Sequence, residues 1–235
     1  GSEPTPADGP IGRFQTTLAA YTPIQDAISS GSANFSFAEI WGSVGNVIPS
    51  QPSLKFWAGN RYYRRHDIHL NDFYFSNMSG TGGGFEDLKL NFGKLAFAWI
   101  GTPGSSGVTT APDPDATNKA GFSKTSFDLR LYDMDVPWGI GEAGLVFSRA
   151  TSGFDSAGIR ADDSTGFSAM FIHTRKGVFS ADGVNKASIQ FGTGAAMTLN
   201  SGFETFSLDG QTFIRPADQD AWRLQAHEVD VLEAR

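Results

Sequence analysis

Phe127-Asp128-Leu129-Arg130-Leu131-Tyr132 alternates apolar and polar side chains without a break. Successive side chains of an extended chain point to opposite faces, so this stretch predicts a strand with one apolar and one polar side. The pattern recurs on both flanks. Leu88, Leu90 and Phe92 alternate with Asp87, Lys89 and Asn91. Ala187, Ile189 and Phe191 alternate with Lys186, Ser188 and Gln190. Trp222, Leu224 and Ala226 alternate with Arg223, Gln225 and His227. At Gly93-Lys94 the phase flips, and Leu95, Phe97 and Trp99 take over the apolar side. A bulge or a tight turn there accounts for the flip. About ten or eleven strands of roughly ten residues each are expected, which is the per-segment signature of a transmembrane β-barrel.

The connections sharpen this expectation. Residues 101–121 form a long polar stretch rich in Gly, Pro, Ser and Thr, and Met134 to Gly141 a short one with Pro137. A long connection (Thr151 to Thr165), a shorter one (Lys176 to Asn185) and a very long one (Thr193 to Asp220) follow. In an up-and-down antiparallel sheet alternate connections share an end, so all the long loops emerge together. Outer-membrane barrels have that asymmetry. A soluble β-sandwich or propeller with irregular loops also alternates, and it stays open on pattern alone. Twenty Phe among 235 residues favour lipid contact for the apolar face.

Composition removes several classes. A net charge of -7 argues against a nucleic-acid partner, which needs a basic face. Cysteine is absent, which excludes disulfide frameworks and thiolate metal sites. No apolar run approaches the roughly 18 residues of a spanning helix. Residues 1–10 carry neither a basic nor an apolar signal segment, so no signal peptide is expected within them.

One region departs from the alternation. Residues 56–85 read FWAGNRYYRRHDIHLNDFYFSNMSGTGGGF, in which aromatic rings crowd among arginines, histidines and aspartates before a glycine run. Rings suit the apolar face of a sugar, and fixed charges suit its hydroxyls. A solvated ion-pair network bracing a loop is the bland alternative. His66 and His69 are three apart, which puts them on opposite faces of a strand, and nothing completes a metal site. Asp67 and Asp72 lie among Arg61, Arg64 and Arg65, whose charges keep both ionised, so neither suits a general acid. No G-x-S-x-G elbow is present. Gly80 to Gly84 lack the G-K-[ST] ending of a phosphate loop and read as a flexible bend that lets a loop fold back. No catalytic residue, metal or cofactor is expected.

The order Trp57-Ala58-Gly59-Asn60-Arg61-Tyr62-Tyr63-Arg64-Arg65-His66-Asp67-Ile68-His69, then Asp72-Phe73-Tyr74, Ser79-Gly80 and Phe92-Gly93-Lys94-Leu95, resembles the maltoporin family. Weaker similarity continues through Phe127 to Leu131 and Lys176-Gly177. The resemblance implies an all-β, antiparallel transmembrane β-barrel of the bacterial outer membrane, 18-stranded and trimeric, that passes maltodextrins by facilitated diffusion. It implies a single porin segment over 1–235, with an inward-folded constriction loop at about 60–84. Site residues carried by the resemblance are Arg65, Asp67 and Asp72 in a polar track, His69 at the narrow point, and Tyr74 pressing on the sugar. The implied partners are an oligosaccharide, the lipid bilayer and two further copies of the chain. Ten or eleven strands are a little over half of such a barrel, so the sequence is expected to be a partial one. Three positions depart from the family pattern: Ala38 stands where a track arginine can occur. Val184, with Phe179 nearby, stands at a slide phenylalanine, and residues 28–34 hold no tryptophan. These departures imply a sugar preference of the chain's own or a general diffusion porin. A soluble β-sandwich carbohydrate-binding module is the reading from a different class.

Overall fold

The computed structural model describes residues 9–21, 34–67, 74–103, 123–154, 160–177, 183–197, 199, 205–208, 211–214 and 220–230. The chain runs through β1 (Ile11–Tyr21), β2 (Asn34–Gly45) and β3 (Lys55–Arg61), then two short strands, β4 (His66–Asp67) and β5 (Tyr74–Ser76). Next come β6 (Gly80–Leu90), β7 (Gly93–Pro103), β8 (Ser123–Val136) and β9 (Gly139–Ala150). The two-residue strands β10 (Gly153–Phe154) and β11 (Arg160–Ala161) precede β12 (Ser164–Lys176) and β13 (Gly183–Thr193). A 3-10 turn at Gly194–Ala196 leads to β14 (Thr205–Leu208), β15 (Gln211–Ile214) and β16 (Asp220–Asp230).

Ten of these strands form one sheet in the order β1-β2-β3-β6-β7-β8-β9-β12-β13-β16. Each pairs antiparallel with the next. Spatial order therefore follows chain order, and every connection is a plain up-and-down one. The small pairs β4–β5, β10–β11 and β14–β15 sit in alternate connections, and so at the same end of the sheet. At the other end β6 turns into β7 through Asn91-Phe92 alone, and β8 into β9 through Pro137-Trp138 alone. The phase flip at Gly93 is this tight turn: Leu90 pairs with Gly93, whose φ of 154° few residues other than glycine adopt. The connection expected over Met134 to Gly141 shrinks to two residues, because β8 and β9 keep pairing past a bulge between Leu131 and Met134.

The burial pattern is inverted relative to a water-soluble protein. Along β8, Phe127 and Leu129 are each 42% exposed while Asp128 and Arg130 are fully buried at 0%. Along β13, Ile189 faces out and Ser188 and Gln190 face in. On β16, Trp222 and Leu224 are exposed. In register, Trp99, Phe127, Phe147 and Phe167 lie opposite one another across four strands and make an aromatic row on the outer face. A soluble sandwich would bury this face and solvate the other. Here the apolar side chains want hydrocarbon and the polar ones want an interior, as in a membrane barrel.

What covers the polar face is the connection between β3 and β6. It spans residues 62–79, shorter than the expected 60–84, because Asn60-Arg61 complete β3 and the glycine run belongs to β6. Gly82 to Gly84 are ladder residues, paired to Gly59, Ala58 and Trp57 on one side and to Ile100, Trp99 and Ala98 on the other. They are therefore not a bend. Gly82 and Gly84, paired with the buried Ile100 and Ala98, face inward with Ala96 and leave that part of the inner wall shallow. Into the space press Tyr63, Phe75 and Met78, all at most 1% exposed. These three belong, with Trp57, Val146 and Met170 among others, to the apolar cluster of the fold.

Candidate functional site

The connection crosses the inner face because a chain of polar contacts holds it there. It starts at β3, where Arg61 lies over the rings of Trp41 (4.3 Å) and Trp57 (4.8 Å) and pairs with Glu86 at 3.3 Å. Gly59 makes this approach possible: its φ is 128°, and an added Cβ would sit 2.6 Å from the Trp41 Cα. The Tyr62 N–H then donates to Glu39 on β2 (2.9 Å), whose other oxygen accepts from Thr17 (2.8 Å). Tyr63 packs on Trp57 with ring centroids 5.1 Å apart.

Arg64 has a left-handed backbone (φ 47°), which sends neighbouring arginines to different partners. The Arg64 guanidinium lies 3.8 Å over the Tyr132 ring. The exposed Arg65 guanidinium lies over Tyr62 (3.9 Å) and Tyr74 (4.4 Å). Next, β4 and β5 pair His66 with Ser76 and Asp67 with Tyr74. Three of the expected site residues, Arg65, Asp67 and Tyr74, are thereby brought onto one small hairpin. His69 and Asp72 lie outside the described residues.

The hairpin is latched to the far wall. Arg130 donates through Nε and Nη2 to Asp128 (2.8 Å each), through Nη1 to Glu142 (2.8 Å), and through Nη2 to the Ser76 hydroxyl (3.3 Å). His66 Nε2 meets the same Glu142 oxygen at 3.0 Å, and its ring stacks on Phe75. The Phe75 carbonyl accepts from Gln190 (3.0 Å) and from Arg223 (3.5 Å). The Asn77 N–H donates to the Leu199 carbonyl (3.0 Å), which ties the hairpin to the turn after β13. A fully buried guanidinium shared by two carboxylates repays its desolvation through charge-assisted bonds. Among the groups on the connection itself, Tyr63 has its phenol pushed up to about 12, chiefly by burial and then by the Asp128 charge.

Sequence reading did not single out the Arg130, Asp128 and Glu142 cluster or the Glu39 anchor. Its signal was present in part: Asp128 and Arg130 occupy the polar phase of the most regular strand. Of the positions departing from the family pattern, Ala38 is half-buried on β2 and Val184 half-buried on β13. Phe179 lies outside the described residues.

A ten-stranded sheet with an aromatic outer row and a charged inner wall, crossed by its own inward-turned hairpin, has the faces of a membrane β-barrel wall. The LamB porin family model matches residues 1–234, and the chain belongs to that family. It is accordingly an outer-membrane sugar porin of bacteria, which removes the soluble β-sandwich reading.

Proposed function

We propose that the channel passes maltodextrins or closely related oligosaccharides by facilitated diffusion, with no enzymatic step, and that residues 1–235 form a single porin segment working as a homotrimer. In this reading Tyr74 bears on the apolar face of a glucosyl ring. Arg65, Asp67, His69 and Asp72 exchange hydrogen bonds with its hydroxyls. The observation that carries the proposal is the hairpin on which Arg65, Asp67 and Tyr74 meet: a ring, a cation and a carboxylate side by side. Such a site must bind weakly, so that sugar enters and also leaves.

The test is ion conduction across a planar bilayer holding the porin. Maltotriose is expected to close the current reversibly, and Tyr74→Ala to weaken that block by about tenfold, the loss of a stacking contact with its buried area. A current indifferent to every sugar would remove the specific channel and leave a general diffusion porin. Ala38 and Val184, which lack the chemistry of the family's arginine and phenylalanine, are the residues that favour this second reading.

A further inference from the structure

We infer that Tyr62 is a positioning residue for the sugar track, acting by clamping the Arg65 guanidinium against Tyr74; the inference rests on the reading of Arg65 and Tyr74 as sugar contacts. Tyr62 is unlike its neighbours. Tyr63 and Trp57 are buried at 1% and 4%, whereas Tyr62 is 43% exposed on the inward connection. Lipid does not account for that exposure, since this connection covers the polar face of the sheet.

The ring hangs from a fixed point. The Tyr62 N–H is bonded to Glu39, and Glu39 is held in turn by Thr17. Arg65 is the exposed, long and flexible member of the group, and its guanidinium carbon lies 3.9 Å over Tyr62 and 4.4 Å over Tyr74. An arginine free in a water-filled lumen would lose much rotamer freedom each time it met a sugar. Held between two rings it has lost that freedom beforehand, while stacking leaves its in-plane N–H groups available for a pair of adjacent hydroxyls. The clamp therefore selects sugars that present neighbouring hydroxyls at the height of the Tyr74 ring.

The test uses the porin in planar bilayers with maltotriose as the blocking sugar and four variants: Tyr62→Ala, Tyr62→Phe, Arg65→Gln and the double change Tyr62→Ala with Arg65→Gln. Tyr62→Ala is expected to weaken block by about two- to fivefold, the worth of one exposed cation–π contact. The loss falls on sugar release, and open-channel conductance stays near the parent's. Tyr62→Phe keeps the ring and restores parental block. In the Arg65→Gln background, Tyr62→Ala adds nothing further. Equal losses in both backgrounds would place Tyr62 directly on the sugar and overturn its action through Arg65. Parental block in Tyr62→Ala would overturn the inference while leaving the sugar-channel reading intact. A parent channel that maltotriose never blocks would overturn both.

Discussion

At Tyr63 a single side chain joins the two halves of the constriction. It packs at a tilt on Trp57 of β3, takes its place under the hairpin, and donates its backbone N–H to the Ser79 hydroxyl at 3.2 Å. Burial and the Asp128 charge raise its phenol from 10.0 to about 12. The folded state thus holds the phenolic proton more tightly than the unfolded chain does. The stabilisation is complete below pH 10 and is lost as pH rises through about 12. Tyrosinate absorbance compared between the parent and Tyr63→Phe isolates this group among the five tyrosines. The step missing from the variant should have its midpoint near 12, and a missing step near 10 would show that Tyr63 is solvated. Arg65 is exposed and Tyr74 half-buried, and on the proposed reading of both as sugar contacts their replacement should alter sugar block more than stability.

For the hairpin as an element, position depends on contacts that lie far apart in the chain. Arg130 and Ser76 are 54 residues apart, and Gln190 and the Phe75 carbonyl 115. Ser76→Ala deletes one hydrogen bond from a latch that keeps its others, a loss of about 1 kcal/mol. The expected result is a noisier open current and a modestly higher conductance, with the heat transition lowered by only about 2–4 °C. A current as quiet as the parent's would show that the hairpin is held without this bond. Arg130→Met is a harsher change, since it strands Asp128 and Glu142, and about 3–5 kcal/mol of stability should go with it. Chemical unfolding in detergent micelles would read that loss. The same element marks the boundary of what sequence shows. Which side chains of β8 and β13 face inward followed from alternation, because a period of two leaves one choice of face. Which inward residue meets the hairpin did not follow, because that depends on register summed across several strands. The glycines at 82–84 misled for a related reason: glycine serves a bend and a flat strand surface equally, and only pairing with Trp57 and Ala98 distinguishes them.

On the scale of the whole molecule, the inverted faces set where substitutions are tolerated. The up-and-down order of the ten strands and the gathering of the longest connections at one end were readable from pattern and punctuation, whereas the two-residue turn between β8 and β9 was expected to be longer. The orientation of the faces was readable too, though pattern alone left soluble and membrane readings open until the buried charges of β8 were located. Leu145 lies in the middle of β9, 56% exposed on the outer face, and Trp138 lies at the short-turn rim, 78% exposed. In water these two sites would tolerate lysine about equally. In a bilayer a lysine at the level of Leu145 meets hydrocarbon, which costs about 2–4 kcal/mol, whereas one at the rim reaches the headgroups and costs about 0–1 kcal/mol. Reversible unfolding of Leu145→Lys and Trp138→Lys in lipid vesicles should therefore separate by a few kcal/mol, with Leu145→Lys the less stable. Equal stability for the two would mean that the aromatic outer face is not lipid-facing, and the barrel reading of the sheet would fall with it.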